Sequence, residues 1–474
     1  MTIPIIIGAI EGREKILRNR GLLEKEVSPA LADGLHKTFG ESLTPEQAVA
    51  RILADVRSHG DAALLEWTRK LDGVSLPSVL VSQNEIDAAY AETPAAVREA
   101  LEFAAARVRA FHEKQVPTSW LAGNEQTFAR VRPQLNAATR FVQDAQTPVD
   151  STNASSLLGQ RVVPLARVGI YVPGGTAPLP SSLLMAAIPA QVAGVREIVV
   201  ATPPLKSGHV QVVTLAAAKI AGVSRVYSMG GAQGIGALAF GTATVPRVDK
   251  IVGPGGLFVT LAKRQVFGAV GIDGLYGPTE TLLIADDSAN PAWCAADLLA
   301  QAEHDELATS ILITTSQLLA NSVAREIESQ MAALARREII AKSIAGQGAI
   351  VVVASLDEAM DLANAYGPEH ICLLVREPWK WVAKVENAGG VFVGEWTNEA
   401  LGDYVIGPSH VMPTAGTARF GSALNVNDFV KITSVFSIGA READELGQRA
   451  AILAEAEGLT AHANAIRQRI AKDA

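Results

Sequence analysis

RVGIYVPGGTAPLPSSLLMAAIPAQVAGVREIVVATPP (167–204) decides the fold class. An apolar run, RVGIYV, is followed by a Gly/Pro-rich loop. A continuous apolar stretch of helical length comes next, and then a second apolar run, EIVVATPP (197–204). Short strands that are apolar on both faces and separated by helices belong in a parallel sheet covered on both sides. The pattern continues through RVYSMG (225–230) and KIVG (250–253). A second series follows Asp273: ETLLIAD (280–286), SILITT (310–315), AIVVVA (349–354), ICLLV (371–375) and GVFVG (390–394). Two such series predict an α/β protein with two doubly wound domains.

Upstream, LTPEQAVARILADVRSHGDAALLEWTRKLDG (43–73) reads as helical, with Thr44 as N-cap and Pro45 in the first turn. Residues 93–116 form a second amphipathic helix, and residues 1–44 are expected to be a helical arm. The stretch 117–160 predicts a short helix near 126–141 and then a polar loop. After about residue 425 the chain is Ala/Glu-rich and is expected to be largely helical, a packing arm.

Composition narrows the function classes. The 474 residues carry 41 Lys and Arg against 49 Asp and Glu, a net charge of −8. Nucleic-acid binding needs a basic footprint, so it is not expected. Two cysteines, Cys294 and Cys372, exclude a disulfide framework. The sequence has neither a signal-peptide pattern nor an uncharged span of 18 apolar residues, so no membrane association is expected and the location is read as cytoplasmic.

Eight histidines offer candidates for chemistry. His36, His59, His112 and His209 have charged neighbours and read as surface residues. Gln301 and His304 lie three apart at the end of AWCAADLLAQAEHDE, so one helix face could hold both; a solvated helix end is the simpler reading of that spacing. AYGPEH (365–370) places Glu369 and His370 side by side before a strand, where they could act as two bases, or as base and acid, or merely as polar turn residues. LGDYVIGPSHVMPT (401–414) holds Asp403 and His410 in a long irregular segment, and long loops with titratable residues are often functional. EGLTAH (457–462) reads as a helix start, with Thr460 as N-cap and His462 in the first turn. Gln301, His304, Asp403 and His462 are N and O donors of the kind zinc takes, though too scattered to form a local motif. GIGALA (234–239) fits a dinucleotide fingerprint but sits within a helical stretch, and no Walker A or G-x-S-x-G sequence occurs.

RVGIYVPGGTAPLPSSLLMAAIPA, GGAQGIGALAFGT, VDKIVGPGG, LLAQAEH, YGPEH, GDYVIGPSHVMPT and EGLTAH occur in one order between about residues 160 and 465. Together they resemble the histidinol dehydrogenase family, and DVRSHGDAALLEWT near the N-terminus extends the likeness. The resemblance implies two incomplete Rossmann-like domains, one comprising 45–170 and 279–424 and the other, NAD-binding, comprising 171–278. It also implies an N-terminal arm (1–44) and a dimerisation arm (425–474) swapped between the subunits of a homodimer. The implied activity is oxidation of L-histidinol to L-histidine in two NAD-linked steps, with one zinc ion per subunit. Carried over by motif, Gln301, His304, Asp403 and His462 would hold zinc and touch substrate. Glu369 and His370 would be catalytic. Thr279, His370, His410 and Glu457 would contact substrate, with Glu457 coming from the partner subunit. Tyr171, Gln233 and Gly256 would lie in the NAD site.

Some positions depart from the family's usual pattern. GPGN becomes Gly253-Pro254-Gly255-Gly256, P-A-G-P-S-E becomes Leu275-Tyr276-Gly277-Pro278-Thr279-Glu280, and Ser409 replaces an Asn. These changes leave room for a paralogue that oxidises another small polar or anionic alcohol. A non-catalytic zinc-binding scaffold is the alternative of another class, opposed by the presence of all four donors and of Glu369-His370.

Overall fold

A computed structural model describes residues 3–18, 28–123, 141–144, 156–174 and 178–470. The chain divides into two units, Met1–Gln115 with Leu165–Phe429, and Val116–Pro164 with Val430–Ala474.

The first unit contains two parallel sheets. One has five strands in the spatial order Arg225–Ser228, Glu197–Thr202, Arg167–Tyr171, Lys250–Val252, Gly271–Ile272. The other has six, in the order Ile5–Ile7, Ala349–Val352, Thr309–Thr314, Glu280–Ala285, His370–Leu374, Gly390–Val393. Every pairing in both sheets is parallel. Leaving aside Ile5–Ile7, the two sheets share one topology: the third, second, first, fourth and fifth strands of each series lie side by side. The order reverses between Arg167–Tyr171 and Lys250–Val252 in one sheet, and between Glu280–Ala285 and His370–Leu374 in the other. Such switch points open a crevice at a sheet end.

The apolar runs explain the central strands. Every residue of Glu280–Ala285 and His370–Leu374 is buried. Pro45–His59 is a helix because Thr44 caps it with a full capping box to Gln47 and Pro45 opens the first turn. Its buried face, Val49, Ile52, Leu53 and Val56, packs in the core of the five-stranded sheet with Leu238 and Leu261. The sequence had grouped residues 45–170 with the six-stranded half; the apolar face of this helix assigns it to the other.

The N-terminus also differs from expectation. Ile5–Ile7 is a strand that pairs with Ala349–Val352, not part of a helical arm. Three consecutive β-branched residues favour this over a helical turn.

The second unit has a mixed four-stranded sheet in the order Val430–Ser437, Leu157–Pro164, Ser119–Gly123, Phe141–Asp144. It also holds two helices, Ala440–Ala456 and Thr460–Arg467, packed through Ala451, Ala454 and Ala463. The long strand Val430–Ser437 falls where a largely helical arm was expected. It is rich in β-branched and aromatic residues, Val430, Ile432, Thr433, Val435 and Phe436, a strand composition that the Ala/Glu-rich sequence after it obscures. The short helix expected near 126–141 lies almost wholly outside the described residues. Leu459, not Thr460, occupies the N-cap of the last helix, without a side-chain cap.

Candidate active site

A cavity of ≈ 220 Å³ opens at the switch points of both sheets in the first unit. From the five-stranded half come Ser182, at the start of helix Pro180–Ala193, and Pro254 and Tyr276, on loops that follow strands. From the six-stranded half come Thr279, His304, Glu369, His370, Asp403 and His410.

Glu369 immediately precedes strand His370–Leu374. The helix Leu356–Tyr366 before it ends at Gly367, a left-handed C-cap that turns the chain into the strand. The carboxylate is buried, and its Oε2 accepts from Thr279 Oγ1 at 2.5 Å and from the Glu280 amide at 3.0 Å. Burial raises its pKa to about 7, against the lowering pull of His370 and of those two donors. A carboxyl poised there can change protonation state near neutral pH.

His370 is fixed from several sides. Its Nδ1 lies 3.2 Å from the Glu280 carbonyl, 3.6 Å from Glu399 Oε1 and 3.9 Å from Glu369 Oε2. The Glu280 carbonyl can only accept, so Nδ1 carries the proton. Nε2 then keeps its lone pair, and it is buried with no hydrogen-bond partner among the described residues. Phe392 packs edge-on against the ring at 5.6 Å. An imidazole with one locked nitrogen and one open one is built as a base.

Gln301 closes the last turn of helix Pro291–Ala302 and is fully buried. One end of its amide is 2.7 Å from the Glu280 peptide nitrogen and 2.7 Å from Thr279 Oγ1, while the other end meets Glu399 Oε1. A peptide N–H can only donate. The end facing Glu280 is therefore Oε1, and Nε2 donates to Glu399. His304 is exposed and lies beyond the helix, so the expected shared helix face does not form. Asp403 sits on a short helix, Glu399–Tyr404, inside the segment expected to be irregular.

His410 Nδ1 bonds the Asp403 carbonyl at 2.8 Å, and its Nε2 meets Ser182 Oγ at 3.0 Å. Burial lowers its pKa, so the neutral ring is favoured. Thr279, Glu369, His370, His304, Asp403 and His410 are thus brought to one cavity. Gln301 sits behind them, and Glu457 and His462 belong to the second unit. Among the described residues, no group of three or more His, Cys, Asp and Glu is close enough to hold a metal. The donor types still fit zinc, because a His304 imidazole and an Asp403 carboxylate line the same cavity.

The residues expected at NAD lie at the carboxyl ends of the five-stranded sheet. Tyr171 ends its strand, and its hydroxyl accepts from the Gly231 amide at 3.2 Å. Burial raises its pKa to about 12. Gln233 faces a different cavity, of ≈ 320 Å³, where its Nε2 donates to Asp72 at 3.1 Å. Burial raises Asp72 to about 6. Gly256 caps helix Leu257–Val266.

Sequence reading missed three features. Glu399 is buried beside His370, but nothing in NEALGDY marks it. His112, expected at the surface, is fully buried, with Nδ1 bonded to the Val108 carbonyl at 2.8 Å. It ends an amphipathic helix, where one turn of phase decides exposure. The third is the buried pair Lys263–Asp273, at 2.5 Å. Lys263 also donates to the Gly253 carbonyl, and Asp273 accepts from the Gly253 and Gly274 amides. The pair thereby ties down the two loops that carry Pro254 and Tyr276. Gly253 itself is irreplaceable there: its φ is 109°, and a Cβ would come within 2.2 Å of the Tyr171 carbonyl.

One cavity lined from the carboxyl end of one parallel sheet and the amino end of the other, and holding an imidazole with an open nitrogen beside a near-neutral carboxyl, suits a dehydrogenase. The family model described as histidinol dehydrogenase matches residues 39–470. The chain is 49% identical over 446 residues to the histidinol dehydrogenase of Deinococcus radiodurans, covering 94% of this chain and 95% of that one. It is 46% identical to that of Cupriavidus pinatubonensis over 98% and 99% of the two chains. The crystal structure of histidinol dehydrogenase from Elizabethkingia anophelis superposes with a TM-score of 0.84 at 30% identity, covering 98% of each chain. This chain belongs to the histidinol dehydrogenase family, and its activity is the dehydrogenation of histidinol. The changes at Gly256, Tyr276 and Ser409 therefore occur within that family. Among the described residues no helix is long and apolar enough to cross a membrane.

Proposed function

We propose that the oxidation of L-histidinol to L-histidine proceeds through L-histidinal in this one cavity, with His370 and Glu369 dividing the proton transfers. The observation that carries this is their adjacency: an open, buried His370 Nε2 beside a Glu369 carboxyl whose pKa is about 7. In the first step His370 Nε2 takes the hydroxyl proton as a hydride leaves the carbinol carbon. Tyr171, Gln233 and Gly256, at the carboxyl ends of the five-stranded sheet, would hold NAD, which would supply the hydride acceptor for both oxidations. In the second step Glu369 takes a proton from water as the water oxygen bonds to the aldehyde carbon, and His370 returns the proton it took in the first step to the former aldehyde oxygen, giving the hydrate and freeing its own lone pair. Both structural donors to Glu369 fall on Oε2, which leaves Oε1 for that proton. His370 then removes a hydroxyl proton from the hydrated aldehyde as the second hydride departs.

Gln301, His304 and Asp403, with His462 from the arm of a partner subunit, would hold one zinc ion per subunit. Bound zinc would supply Lewis-acid polarisation and a template for the substrate's polar groups. Thr279, His410 and the partner subunit's Glu457 would complete the substrate contacts in a homodimer with exchanged arms.

Single-turnover measurement of the two half-reactions tests the division. A general base contributes about a hundred- to ten-thousandfold. Glu369→Gln is expected to slow oxidation of supplied histidinal far more than oxidation of histidinol. His370→Asn is expected to slow histidinol oxidation by about that factor. Equal slowing of both steps by Glu369→Gln would remove the water-activating role.

A further inference from the structure

Glu399 is the buried acid that the reaction scheme above does not use. Its residue is 3% exposed, at the start of helix Glu399–Tyr404. One oxygen, Oε1, faces two functional side chains at once. It accepts from Gln301 Nε2 and stands 3.6 Å from His370 Nδ1. The other oxygen, Oε2, has no hydrogen-bond partner among the described residues. Burial pushes its pKa well above the usual carboxylate range, Asp403 and Asp297 add to that, and the Thr281 hydroxyl pulls the other way. Burying a carboxyl here is costly, and one with no bearing on the site would be better replaced by an apolar side chain.

We propose that Glu399 is a positioning residue for both halves of the site. By accepting from Gln301 Nε2 it helps fix which end of the amide is oxygen, and by standing against the Nδ1–H edge of His370 it keeps that proton away from Nε2. The inference rests on the reading of His370 as the alcohol base and of Gln301 as a zinc donor. Its physical basis is ordinary: a carboxyl oxygen against the N–H edge of an imidazole favours one tautomer and leaves the opposite nitrogen its lone pair. An amide whose N–H is held cannot rotate to present nitrogen where oxygen is required. Glu399 and the Glu280 backbone act together. The Glu280 amide meets Gln301 Oε1 and its carbonyl meets His370 Nδ1, so one peptide and one carboxyl bracket both side chains.

The test uses the full-length enzyme with Glu399→Gln and Glu399→Ala, and reads kcat and KM for histidinol, histidinal oxidation, and zinc affinity by chelator competition. Outer partners of this kind are worth about ten- to a hundredfold. Glu399→Gln keeps an oxygen for the Gln301 N–H but replaces the carboxyl oxygens that face His370 with an amide. It should lower kcat for histidinol about ten- to a hundredfold, leaving zinc affinity and KM within about threefold. Glu399→Ala should lower kcat similarly and weaken zinc about tenfold or more. Two results would overturn the proposal. One is a kcat within twofold of wild type in both variants. The other is a loss of activity in Glu399→Gln that tracks the loss of folded protein by circular dichroism. His370→Asn, measured in parallel, separates the two levels: if it keeps full histidinol oxidation, the base assignment fails whatever Glu399 does.

Discussion

The two parallel sheets of the first unit share a strand order and use opposite ends of it. In the five-stranded sheet the functional positions lie at the carboxyl end, on the loops after Arg167–Tyr171 and Lys250–Val252. Helix Leu257–Val266 starts there, after Lys250–Val252, with about half a positive charge at its N-terminus. That end suits the phosphates of a dinucleotide. In the six-stranded sheet Thr279, Glu369 and His370 lie at the amino ends of the switch-point strands. Helix Pro291–Ala302 ends there, and so does Leu356–Tyr366, presenting carbonyls and partial negative charge. That end suits a cation and a proton-accepting imidazole. The opposite, carboxyl end of the same switch point is tied shut, where Asp286 accepts from the Arg376 and Ser288 amides. Duplicating one topology and inverting its use puts an anion-binding edge and a cation-binding edge on one cavity.

The cation-binding edge can be broken most completely. His304→Ala should abolish stoichiometric zinc and activity together, measured by elemental analysis and NADH formation. Full zinc content in that variant would remove His304 from the donor set. If the fourth donor comes from a partner's arm, His304→Ala and His462→Ala chains should complement. Random pairing makes half the dimers mixed, each with one intact composite site, so about a quarter of wild-type activity should return. Mixed dimers without activity would rule out the exchange of arms.

The anion-binding edge depends on Lys263 and Asp273. Breaking a buried ion pair by removing one partner costs about 3–5 kcal/mol. Lys263→Met should therefore lower denaturant resistance by that order and raise the KM for NAD, since Gly253 loses its anchor. Unchanged unfolding would show that the loops are held by other contacts.

The edges should also differ in pH dependence. Glu369 acts as base only when ionised, and its pKa is raised to about 7. Histidinal oxidation should rise with pH through about 7 and level off above it, falling about tenfold per pH unit below. Glu369→Gln should erase that limb while leaving any contribution of His370 in place. A limb that survives in the variant assigns the titration elsewhere.

Much of this contrast was legible in the sequence, and what was not has physical reasons. Nine of the eleven strands in the two sheets were readable because most are buried on both faces and their runs are continuously apolar; the short strands Ile5–Ile7 and Gly271–Ile272 were not. Glu369, His370 and Thr279 could be named because their motifs match the family's. Glu399 could not, since its importance comes from the burial of one carboxyl against a strand about thirty residues away in sequence. Lys263 and Asp273 look like ordinary surface charges and meet only when the switch point forms. Ile5–Ile7 is too short for periodicity to choose between strand and helix. The residues proposed as zinc donors lie far apart in the sequence, from Gln301 to His462, which spacing cannot express.

The smallest expected effect sharpens the comparison at the anion-binding edge. Gly256 stands where the family's usual pattern has Asn, at the N-cap of helix Leu257–Val266. Its φ is −67°, which any residue adopts, and a Cβ built there meets nothing within 4 Å. Gly256→Asn should therefore fold without strain. Asn is a favoured N-cap, worth a few tenths of a kcal/mol over Gly. Its amide would also add one hydrogen-bonding group at the crevice where NAD is proposed to bind. A neutral hydrogen bond contributes about 1 kcal/mol, so the KM for NAD should fall severalfold at unchanged kcat. Equal affinity for NAD in the two proteins would mean that the helix amides alone set binding at this edge. A fall in kcat would instead mean that the added side chain reaches past the cofactor into the cavity of Glu369 and His370.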